Sequence, residues 1–464
     1  MGDNSCNVKL HIAMLPWLAF GHLIPFLELA KLMASKGHKI TFISTPKNIN
    51  HLPKIPQPLT PFITFIKLNL PKLQNLPENA ESTRDLPSNK VKYLKIAYDH
   101  LKEPVVDILN TLSPNWIIYD FTTYWLGPIA AEYGIKTAYF SVFPALMHGY
   151  LGTPETMMHG YDDRDDFLKK PKWVTFESQV KPSGFQLTKA TENLSSEVEN
   201  VSDAYRLGAT IQGSDVVIVR SCFGFEPEWL NLQKELYKKP VIPAGLLLAV
   251  DNPDGNADWL ETKKWLDMHE KGSVVYIAFG TETKPSQYEL TQLALGLEMS
   301  LLPFYWVLID QRGSLDEVVE LPSGFEERTH GRGLVCRGWA PQFKIVSHDS
   351  VGVLLIHSGM SSVVEGFQLG KPLVLLPLSV DQGLIASYLV EKKMAYMVRR
   401  DDVDGLFTPE SVADSLSLVM VSEEGKMYRE KAKEMMCLFG DRKVQDKCLD
   451  ELLHVLQMSL SCKE

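Results

Sequence analysis

The feature of this 464-residue sequence that most restricts its fold is a repeated alternation of short apolar runs and helical stretches. The runs "LHIAML" and "KITFIS" are separated by a segment of helical periodicity that ends at Gly37. The same order recurs from "WIIYD" onward, and a second series begins at "SVVYIAFG" and continues through "VGVLLIH". Buried strands that alternate with helices build parallel sheets covered on both faces. The pattern therefore predicts an α/β protein with doubly wound sheets.

Two such series indicate two domains, which is also the expected number for a chain of this length. The polar segment 249–258, rich in proline, glycine and aspartate, predicts a linker between a first domain at 1–248 and a second at 259–440. The last stretch, 441–460, is predicted to form an amphipathic helix that packs back on the first domain. Its apolar face comprises Val444, Cys448, Leu452 and Val455.

Composition and charge exclude several classes of function. The net charge of −10 disfavours nucleic acid and anionic membrane surfaces as partners. No apolar run approaches the roughly 18 residues that would suggest a membrane span, and the first ten residues lack the pattern of a secretory signal. Six cysteines without a CxxC pair favour free thiols in a reducing compartment over disulfides or a zinc site. We therefore predict a cytoplasmic protein.

The loops that follow parallel strands are the expected place for chemistry. These loops contain no GxGxxG, GxxxxGK[ST], HExxH or GxSxG motif. Their absence argues against nicotinamide redox chemistry, P-loop nucleotide hydrolysis, zinc proteolysis and serine hydrolysis. The less regular stretch near 150–190 is interpreted as loops over a binding cleft.

The segment "HSGMSSVVE" has the features of a phosphate site. It follows the apolar run "VGVLLI", which delivers His357, and it begins a helix that should end before Gly370. A helix N-terminus presents unpaired amides and a partial positive charge, and Gly359 permits close approach of a ligand to the backbone. The segment therefore suits a phosphate group.

Three side chains of this helix start suit a nucleotide as well. Ser361 and Ser362 can add hydroxyl donors in the first turn, and Glu365 follows on the same face, where a carboxylate suits a ribose hydroxyl. The alternative is a capping role for serine and a dipole role for the glutamate. Together with His357 and Gly359, the nucleotide interpretation is favoured.

Two further strand ends carry groups suited to a nucleotide sugar. Trp339 in "GWAPQ" can stack on a base, although a core position is the commoner role of an isolated tryptophan, and Pro341 suits the first position of a helix. Asp381 and Gln382 follow the run "LVLLPL" and can bind sugar hydroxyls, although "DQG" by itself is usually a turn.

The span 338–383 resembles the signature box of plant secondary-product UDP-glycosyltransferases, glycosyltransferase family 1. The resemblance covers nearly the full chain, including "PWLAFGHLIPFLELAKLMASKGHKITFIST" and "WIIYDF". It implies the GT-B fold, in which two Rossmann-like domains face each other across a cleft. It also implies that a UDP-sugar binds mainly to the C-terminal domain and the acceptor to the N-terminal one.

The resemblance further implies which residues hold the donor. These are Thr281, Trp339, Ala340, Gln342, His357, Gly359, Met360, Ser361, Ser362, Glu365, Asp381 and Gln382. In the family pattern Trp339 stacks on uracil, Gln342 helps to hold the base or ribose, His357 and Ser362 bind the diphosphate, Glu365 binds the ribose, and Asp381 with Gln382 binds the sugar.

Two positions depart from the family pattern. Met360 and Ser361 stand where the family usually has tryptophan and asparagine, whereas Ser358 in place of the commoner cysteine looks neutral. The backbone amide at position 360 is retained, so diphosphate binding is expected to persist while contacts to the sugar change. We expect UDP-glucose as donor, because Gln382 matches the glucose-using pattern, with UDP-rhamnose next because of Met360.

The N-terminal half offers a candidate base. His22 lies after the first strand, just before a helix whose positive end disfavours the protonated imidazole. Asp120 ends the run "WIIYD", where its carboxylate can fix the imidazole tautomer and stabilise the imidazolium. For an isolated histidine or aspartate at such a place, capping is the commoner role. The resemblance assigns both residues to the catalytic dyad of the family.

The same loops contain side chains that could line an acceptor pocket, although we expect about half of them to be core. They are Phe20, Phe121, Tyr124, Trp125, Ser141, Phe143 and Met147. The sequence "PWLAFGHLIPFLELA" is similar to that of the branch of the family that extends sugar chains on existing glycosides. We therefore expect a sugar hydroxyl of a terpenoid, steroid or flavonoid glycoside as acceptor, with an aglycone hydroxyl second.

These expectations describe an inverting hydroxyl glycosylation that uses no metal or cofactor, since no DxD pair lies at the diphosphate site. A silent protein that binds a sugar nucleotide or an apolar ligand is the alternative. Retention of His22 and Asp120 argues against it. A retaining enzyme of the same architecture would cluster basic residues on the phosphate, and the loops identified above lack them.

Overall fold

The computed structural model describes residues 8–160, 167–188, 201–250, 259–280, 285–308 and 320–461. They divide into two compact units. The first contains the described residues up to 160, those of 201–247, and those from 442 onward, and the second contains the remainder. Each unit is therefore built from more than one stretch of sequence.

The first unit contains a parallel sheet in the order β3-β2-β1-β4-β5-β6-β7. In the central strand β1, Ile12 lies opposite Ile40 of β2 on one side and opposite Trp116 of β4 on the other. The direction of winding reverses between β1 and β4, which makes this the switch point of the unit. The strands are β1 His11–Leu15, β2 Lys39–Ser44, β3 Ile63–Lys67, β4 Trp116–Tyr119, β5 Lys136–Ser141, β6 Val216–Val219 and β7 Val241–Pro243.

Helices of the first unit connect and flank these strands. They are α1 Phe20–Ser35, α2 Pro46–His51, α3 Val91–Asp99, α4 Lys102–Leu112, α5 Leu126–Glu132, α6 Ala145–Leu151, α7 Pro154–His159, α8 Asp203–Gly213, α9 Pro227–Tyr237 and, from the end of the chain, α18 Arg442–Ser461. Short 3₁₀ helices occur at Gln57–Leu59, Thr83–Asp85, Ser88–Lys90 and Phe121–Thr123.

Helix α18 lies in the core of the first unit. Its buried face is formed by Cys448, Leu449, Leu452, Leu453 and Leu456. Of the other residues of the predicted face, Val455 is half-buried and packs against the same core, and Val444 is half-buried. The Trp116 indole Nε1–H donates to the Leu456 carbonyl at 3.1 Å, so the helix satisfies a polar group as well as covering the sheet.

The second unit contains a parallel sheet in the order β10-β9-β8-β11-β12-β13. Its switch point lies between β8 and β11, where Ile356 is in register with Ala278. The strands are β8 Val274–Ala278, β9 Phe304–Leu308, β10 Gly333–Arg337, β11 Val351–Ile356, β12 Leu373–Leu375 and β13 Ala395–Met397.

Helices again flank the sheet of the second unit. A capping box starts one of them, since Glu289 N–H donates to Ser286 Oγ and Ser286 N–H donates back to Glu289 Oε2. The helices are α10 Trp259–Asp267, α11 Gln287–Ser300, α12 Phe325–Arg328, α13 Gln342–Ser347, α14 Met360–Gln368, α15 Val380–Glu391, α16 Pro409–Met420 and α17 Lys426–Phe439.

The predicted fold class of two doubly wound parallel sheets is confirmed. The structure differs from the sequence boundaries at residues 167–188, which belong to the second unit because their hydrogen bonds reach Ser387, Glu391 and Asp402. The expected linker 249–258 lies largely outside the described residues. Among the helices that the structure describes, none is long and apolar enough to cross a membrane.

Candidate active site

The loops after β1 and β4, at the switch point of the first unit, bring His22 and Asp120 together. His22 Nδ1 lies 2.8 Å from Asp120 Oδ2, and the two residues are 9% and 1% exposed. Because a carboxylate only accepts hydrogen bonds, Nδ1 is the donor and Nε2 carries the imidazole lone pair. An imidazole held in this tautomer can accept a proton.

The Asp120 carboxylate is fixed by the backbone as well. Its Oδ2 accepts the Trp17 N–H at 3.1 Å, and its Oδ1 accepts the Phe121 N–H at 2.8 Å, so it also caps the 3₁₀ helix Phe121–Thr123. Asp120 thus combines the capping role with the contact to His22. His22 itself lies in the first turn of α1, not in the loop before a helix, because α1 already begins at Phe20.

Aromatic rings surround the imidazole. The ring centroids of Phe121 and Phe143 lie 5.8 and 5.5 Å from that of His22. Phe20, two residues before the histidine, lies beneath the Arg84 guanidinium at 4.0 Å. These three phenylalanines are half-buried, as expected for side chains that border a pocket.

The other predicted acceptor residues differ in their surroundings. Ser141 is fully buried and its hydroxyl donates to the Phe143 carbonyl at 3.0 Å, so it supports the loop that carries this ring. Tyr124 packs edge-on against Tyr205, with ring centroids 6.0 Å apart. Trp125 packs against the core, and Met147 is half-buried in helix α6.

A second histidine near the dyad was not predicted from the sequence. His148 is buried, its ring lies 5.9 Å from that of Phe143, and its Nδ1 has no hydrogen-bond partner among the described residues. Burial lowers the pKa of His148 to about 3, with Asp120 opposing this shift and His22 adding to it. His148 is therefore neutral at physiological pH.

Helix α6, which carries Met147 and His148, begins on a buried carboxylate. Glu226 accepts the N–H groups of Ala145 and Leu146 at 2.5 and 2.9 Å. Burial raises the pKa of Glu226 to about 7, although these hydrogen bonds favour its charged form. No motif marks Glu226 or His148, because the contacts of both arise only in the folded unit.

In the second unit, helix α14 begins without a side-chain cap. Gly359 is the N-cap, so the alternative of a capping role for serine does not hold; Ser361 and Ser362 follow inside the first turn. Ser358 precedes the cap with a left-handed φ of 67°, and its buried hydroxyl has no partner among the described residues. The first-turn amides of α14 are therefore oriented as in helix starts that bind phosphate.

His357 lies between this helix start and the end of β8. A Cβ atom at Gly280, whose φ is 73°, would lie 3.0 Å from His357 Nε2, so only glycine leaves the ring this space. Burial lowers the pKa of His357 to about 4, opposed by a hydrogen bond with the Ala278 backbone. Its Nδ1 has no partner within the described ranges. Because neutral His357 has one N–H and donates it to the Ala278 backbone, it can donate to an anion only by giving up that hydrogen bond.

A chain of hydrogen bonds joins the helix starts after β10 and β11. Tyr276 OH donates to Gln342 Oε1 at 3.1 Å, and Gln342 Nε2 donates to Glu365 Oε2 at 2.5 Å.

Trp339 is 64% exposed and so is not a core residue, whereas Ala340 is buried. Gln342, not Pro341, is the first residue of α13, with Pro341 as its N-cap.

The residues of "DQG" start helix α15 after β12. Asp381 Oδ1 accepts the Ser379 hydroxyl at 2.6 Å, and buried Gln382 accepts the Leu378 N–H at 2.9 Å. Met360 is buried, with 6% of its surface exposed. Thr281 lies outside the described residues.

The strands thus deliver the predicted donor residues that the structure describes to one edge of the second sheet. Loops after β8, β10, β11 and β12 all leave the carboxyl end of parallel strands. Within the described ranges, His, Cys, Asp and Glu side chains form no group of three or more that could hold a metal ion.

Comparison with known proteins gives matches over most of the chain. Residues 183–454 match the family model "UDP-glucoronosyl and UDP-glucosyl transferase". The chain is 49% identical to UDP-glycosyltransferase 91A1 of Arabidopsis thaliana over 97% of both chains. It is 41% identical to soyasaponin III rhamnosyltransferase of Glycine max, over 98% of this chain and 97% of that protein.

Solved structures show the same fold. The crystal structure of Glycyrrhiza uralensis UGT73P12, complexed with glycyrrhetinic acid 3-O-monoglucuronide, is similar with a TM-score of 0.79. The match covers 97% of this chain and 96% of the other at 21% identity, so it bears on the fold alone. The fold is of the GT-B class.

Proposed function

Because the chain belongs to the UDP-glucoronosyl and UDP-glucosyl transferase family, and is therefore a UDP-sugar glycosyltransferase of plant secondary metabolism, we propose that it glycosylates a hydroxyl of a small glycoside by an inverting displacement. The observation that carries this proposal is the 2.8 Å contact between His22 Nδ1 and Asp120 Oδ2 at a switch point. A buried carboxylate bonded to one imidazole nitrogen prepares the other as a base.

In the proposed reaction, His22 Nε2 takes the proton of the acceptor hydroxyl. The acceptor oxygen forms a bond to the anomeric carbon of the UDP-sugar while the bond from that carbon to the β-phosphate oxygen breaks. Asp120 stabilises the imidazolium that results. UDP leaves with an additional negative charge, which the amides at the start of α14 are suited to stabilise.

We assign the nucleotide to the residues at the carboxyl edge of the second sheet. Exposed Trp339 offers a stacking face for uracil, and Glu365, held by Gln342, offers a carboxylate for the ribose hydroxyls. The helix start at residues 359–362 takes the diphosphate, and Asp381 with Gln382 takes the sugar. The helix start without a side-chain cap supports the diphosphate assignment.

We propose UDP-glucose as the first donor and UDP-rhamnose as the second. Gln382 favours glucose, as the family pattern implies. Met360, in place of the usual tryptophan, and the 41% identity to a soybean protein named for rhamnosyl transfer to soyasaponin III favour rhamnose. The same relative supports a glycoside over an aglycone as acceptor.

The test is mass spectrometry of products formed from UDP-glucose and UDP-rhamnose with a panel of terpenoid, steroid and flavonoid aglycones and their monoglycosides. We expect a mass increase of one hexose or deoxyhexose on monoglycosides, and none with a His22→Ala variant. Products formed only from aglycones would move the assignment to the alternative acceptor. UDP binding without any product would identify a silent binding protein.

A further inference from the structure

A short segment of the second unit packs along helix α15, whose first turn carries Asp381 and Gln382. We name residues 178–188, "SQVKPSGFQLT", the strap. The donor and acceptor roles proposed above use none of its residues. Its contacts nevertheless reach both ends of α15.

The strap holds the C-terminal end of α15 through one carboxylate and one hydroxyl. Glu391 Oε2 accepts the Ser178 hydroxyl at 2.9 Å and the Gln179 N–H at 2.5 Å. One turn earlier, Ser387 Oγ accepts the Lys181 N–H at 3.2 Å. Hydrogen bonds to a charged acceptor are among the stronger ones, so this end of the helix is firmly held.

The strap contacts the N-terminal end of α15 through Gln186. This side chain is buried, and its Oε1 accepts the Ser183 N–H at 3.0 Å, which fixes its position. A Cβ atom at Gly383 would lie 2.0 Å from Gln186 Oε1, so only glycine permits this approach. Gly383 directly follows Gln382, and the contact therefore fixes the backbone that carries the proposed sugar ligands.

A third contact ties the strap to the loop after β13. The Phe185 N–H donates to the Asp402 carbonyl at 3.2 Å, and the Phe185 ring lies beneath the Arg400 guanidinium at 5.0 Å. A Cβ atom added at Gly405 would lie 2.6 Å from Phe185 Cδ2. A Cβ atom added at Gly184 would lie 2.8 Å from the Asp402 carbonyl oxygen. The loop after β13 thus holds the residues immediately before Gln186.

We propose that the strap is a positioning element for the sugar end of the donor site, with Gln186 and Glu391 as its positioning residues. Displacement of a sugar by about 1 Å can cost about 100-fold in rate, so the backbone of Asp381 and Gln382 must be held rigidly. The residues assigned to uridine and to the diphosphate follow two other strands, β10 and β11. Loosening the strap should therefore affect the sugar of the donor and spare the nucleotide. This inference rests on the proposed function.

The test compares UDP with UDP-sugars in Gln186→Ala and Glu391→Ala variants. We expect kcat/KM for the preferred UDP-sugar to fall about 10-fold or more, and the preference between UDP-glucose and UDP-rhamnose to shrink, since a misplaced sugar loses rate steeply. The Kd of UDP, from calorimetry, should stay within about twofold of wild type. Lys181→Ala is the matched control, because this exposed side chain lies in the strap but contacts α15 only through its backbone.

Wild-type kinetics and donor preference in both variants would overturn the inference. An equal loss of affinity for UDP and for UDP-sugars would do so as well, since it indicates a general loss of structure. If Gln186→Ala does not fold, Ser178→Ala removes the hydrogen bond to Glu391 and the one that the Ser178 hydroxyl accepts from the Val180 N–H, and should show the same separation more weakly. Absence of transfer by the wild type overturns the proposed function, whereas wild-type transfer with unaltered variants overturns only the role of the strap.

Discussion

Gln342 Nε2 donates to Glu365 Oε2 across 2.5 Å, and this bond joins the helix that follows β10 to the helix that follows β11. Tyr276 OH holds the other end of the Gln342 amide at 3.1 Å. The orientation of the carboxylate assigned to the ribose is therefore set by a neutral donor. Because this donor is an uncharged amide, its hydrogen bond does not neutralise the Glu365 carboxylate.

We expect Glu365→Ala to weaken UDP binding by about 10- to 100-fold, since hydrogen bonds to charged groups contribute about 1.5–3 kcal/mol. Gln342→Ala should weaken binding less, and the double variant should lose less than the sum because the residues act as one network. Calorimetric titration with UDP measures these effects. Glu424→Ala, at an exposed position of the same unit, is the control. An unchanged Kd for Glu365→Ala would refute the ribose assignment.

We expect His22→Ala to lower turnover by about 10²- to 10⁴-fold while the Kd of UDP stays unchanged, because only the proton transfer is lost. Asp120→Asn should also lower turnover, since it removes the negative charge that stabilises the imidazolium. Product formation under saturating donor and acceptor measures both. His51→Ala, at an exposed histidine of the same unit, should behave as wild type. Turnover near that of wild type in His22→Ala would remove the base from the mechanism.

From the burial of His148 we predict that the folded protein loses stability in acid. Burial lowers the pKa of His148 from 6.5 to about 3, so the unfolded chain binds a proton that the folded chain excludes. The stability linked to this group is present above pH 6.5 and is lost as the pH falls toward 3. We expect the difference in Tm between pH 8 and pH 5 to be smaller in His148→Leu than in wild type. Equal differences in the two proteins would contradict this account.

For Glu226 we predict a dependence of stability on pH that has the opposite sign. Burial raises its pKa from 4.5 to about 7, so its stabilising contribution is complete below pH 4.5 and is lost as the pH rises through 7. Relative to wild type, Glu226→Gln should therefore become more stable as the pH increases from 5 to 8. Glu226→Ala, which removes the acceptor for the Ala145 and Leu146 amides, should lower Tm at both values. Thermal unfolding at pH 5 and pH 8 tests both, and a Tm difference between Glu226→Gln and wild type that does not change with pH would disprove the ionisation.

The central strands could be predicted from the sequence because they are buried on both faces and form continuous apolar runs. Strand β1 is almost entirely buried, and so is β11. The outer strands β3 and β13 were not predicted, because burial along them is mixed and no continuous run results. An edge strand has a neighbour on one side only, so its sequence carries a weaker signal.

The same distinction applies to the site. His22 and Asp120 could be proposed because each follows a strand that borders the switch point and because both match the pattern of the family that the sequence resembles. His148 and Glu226 could not, since a buried histidine and a buried glutamate in helical segments have no local signature. The assignment of the strap to the second unit was equally inaccessible, because Ser178 contacts Glu391 across 213 residues of sequence.

The hydrogen bond from Trp116 to Leu456 spans 340 residues, so it cannot form until residue 456 has been synthesised. At a synthesis rate of about 5–20 residues per second, the sheet around β4 waits roughly tens of seconds for its last helix. During that interval an apolar surface on the nascent chain remains uncovered. Ribosome-associated chaperones are the cellular components suited to shield it.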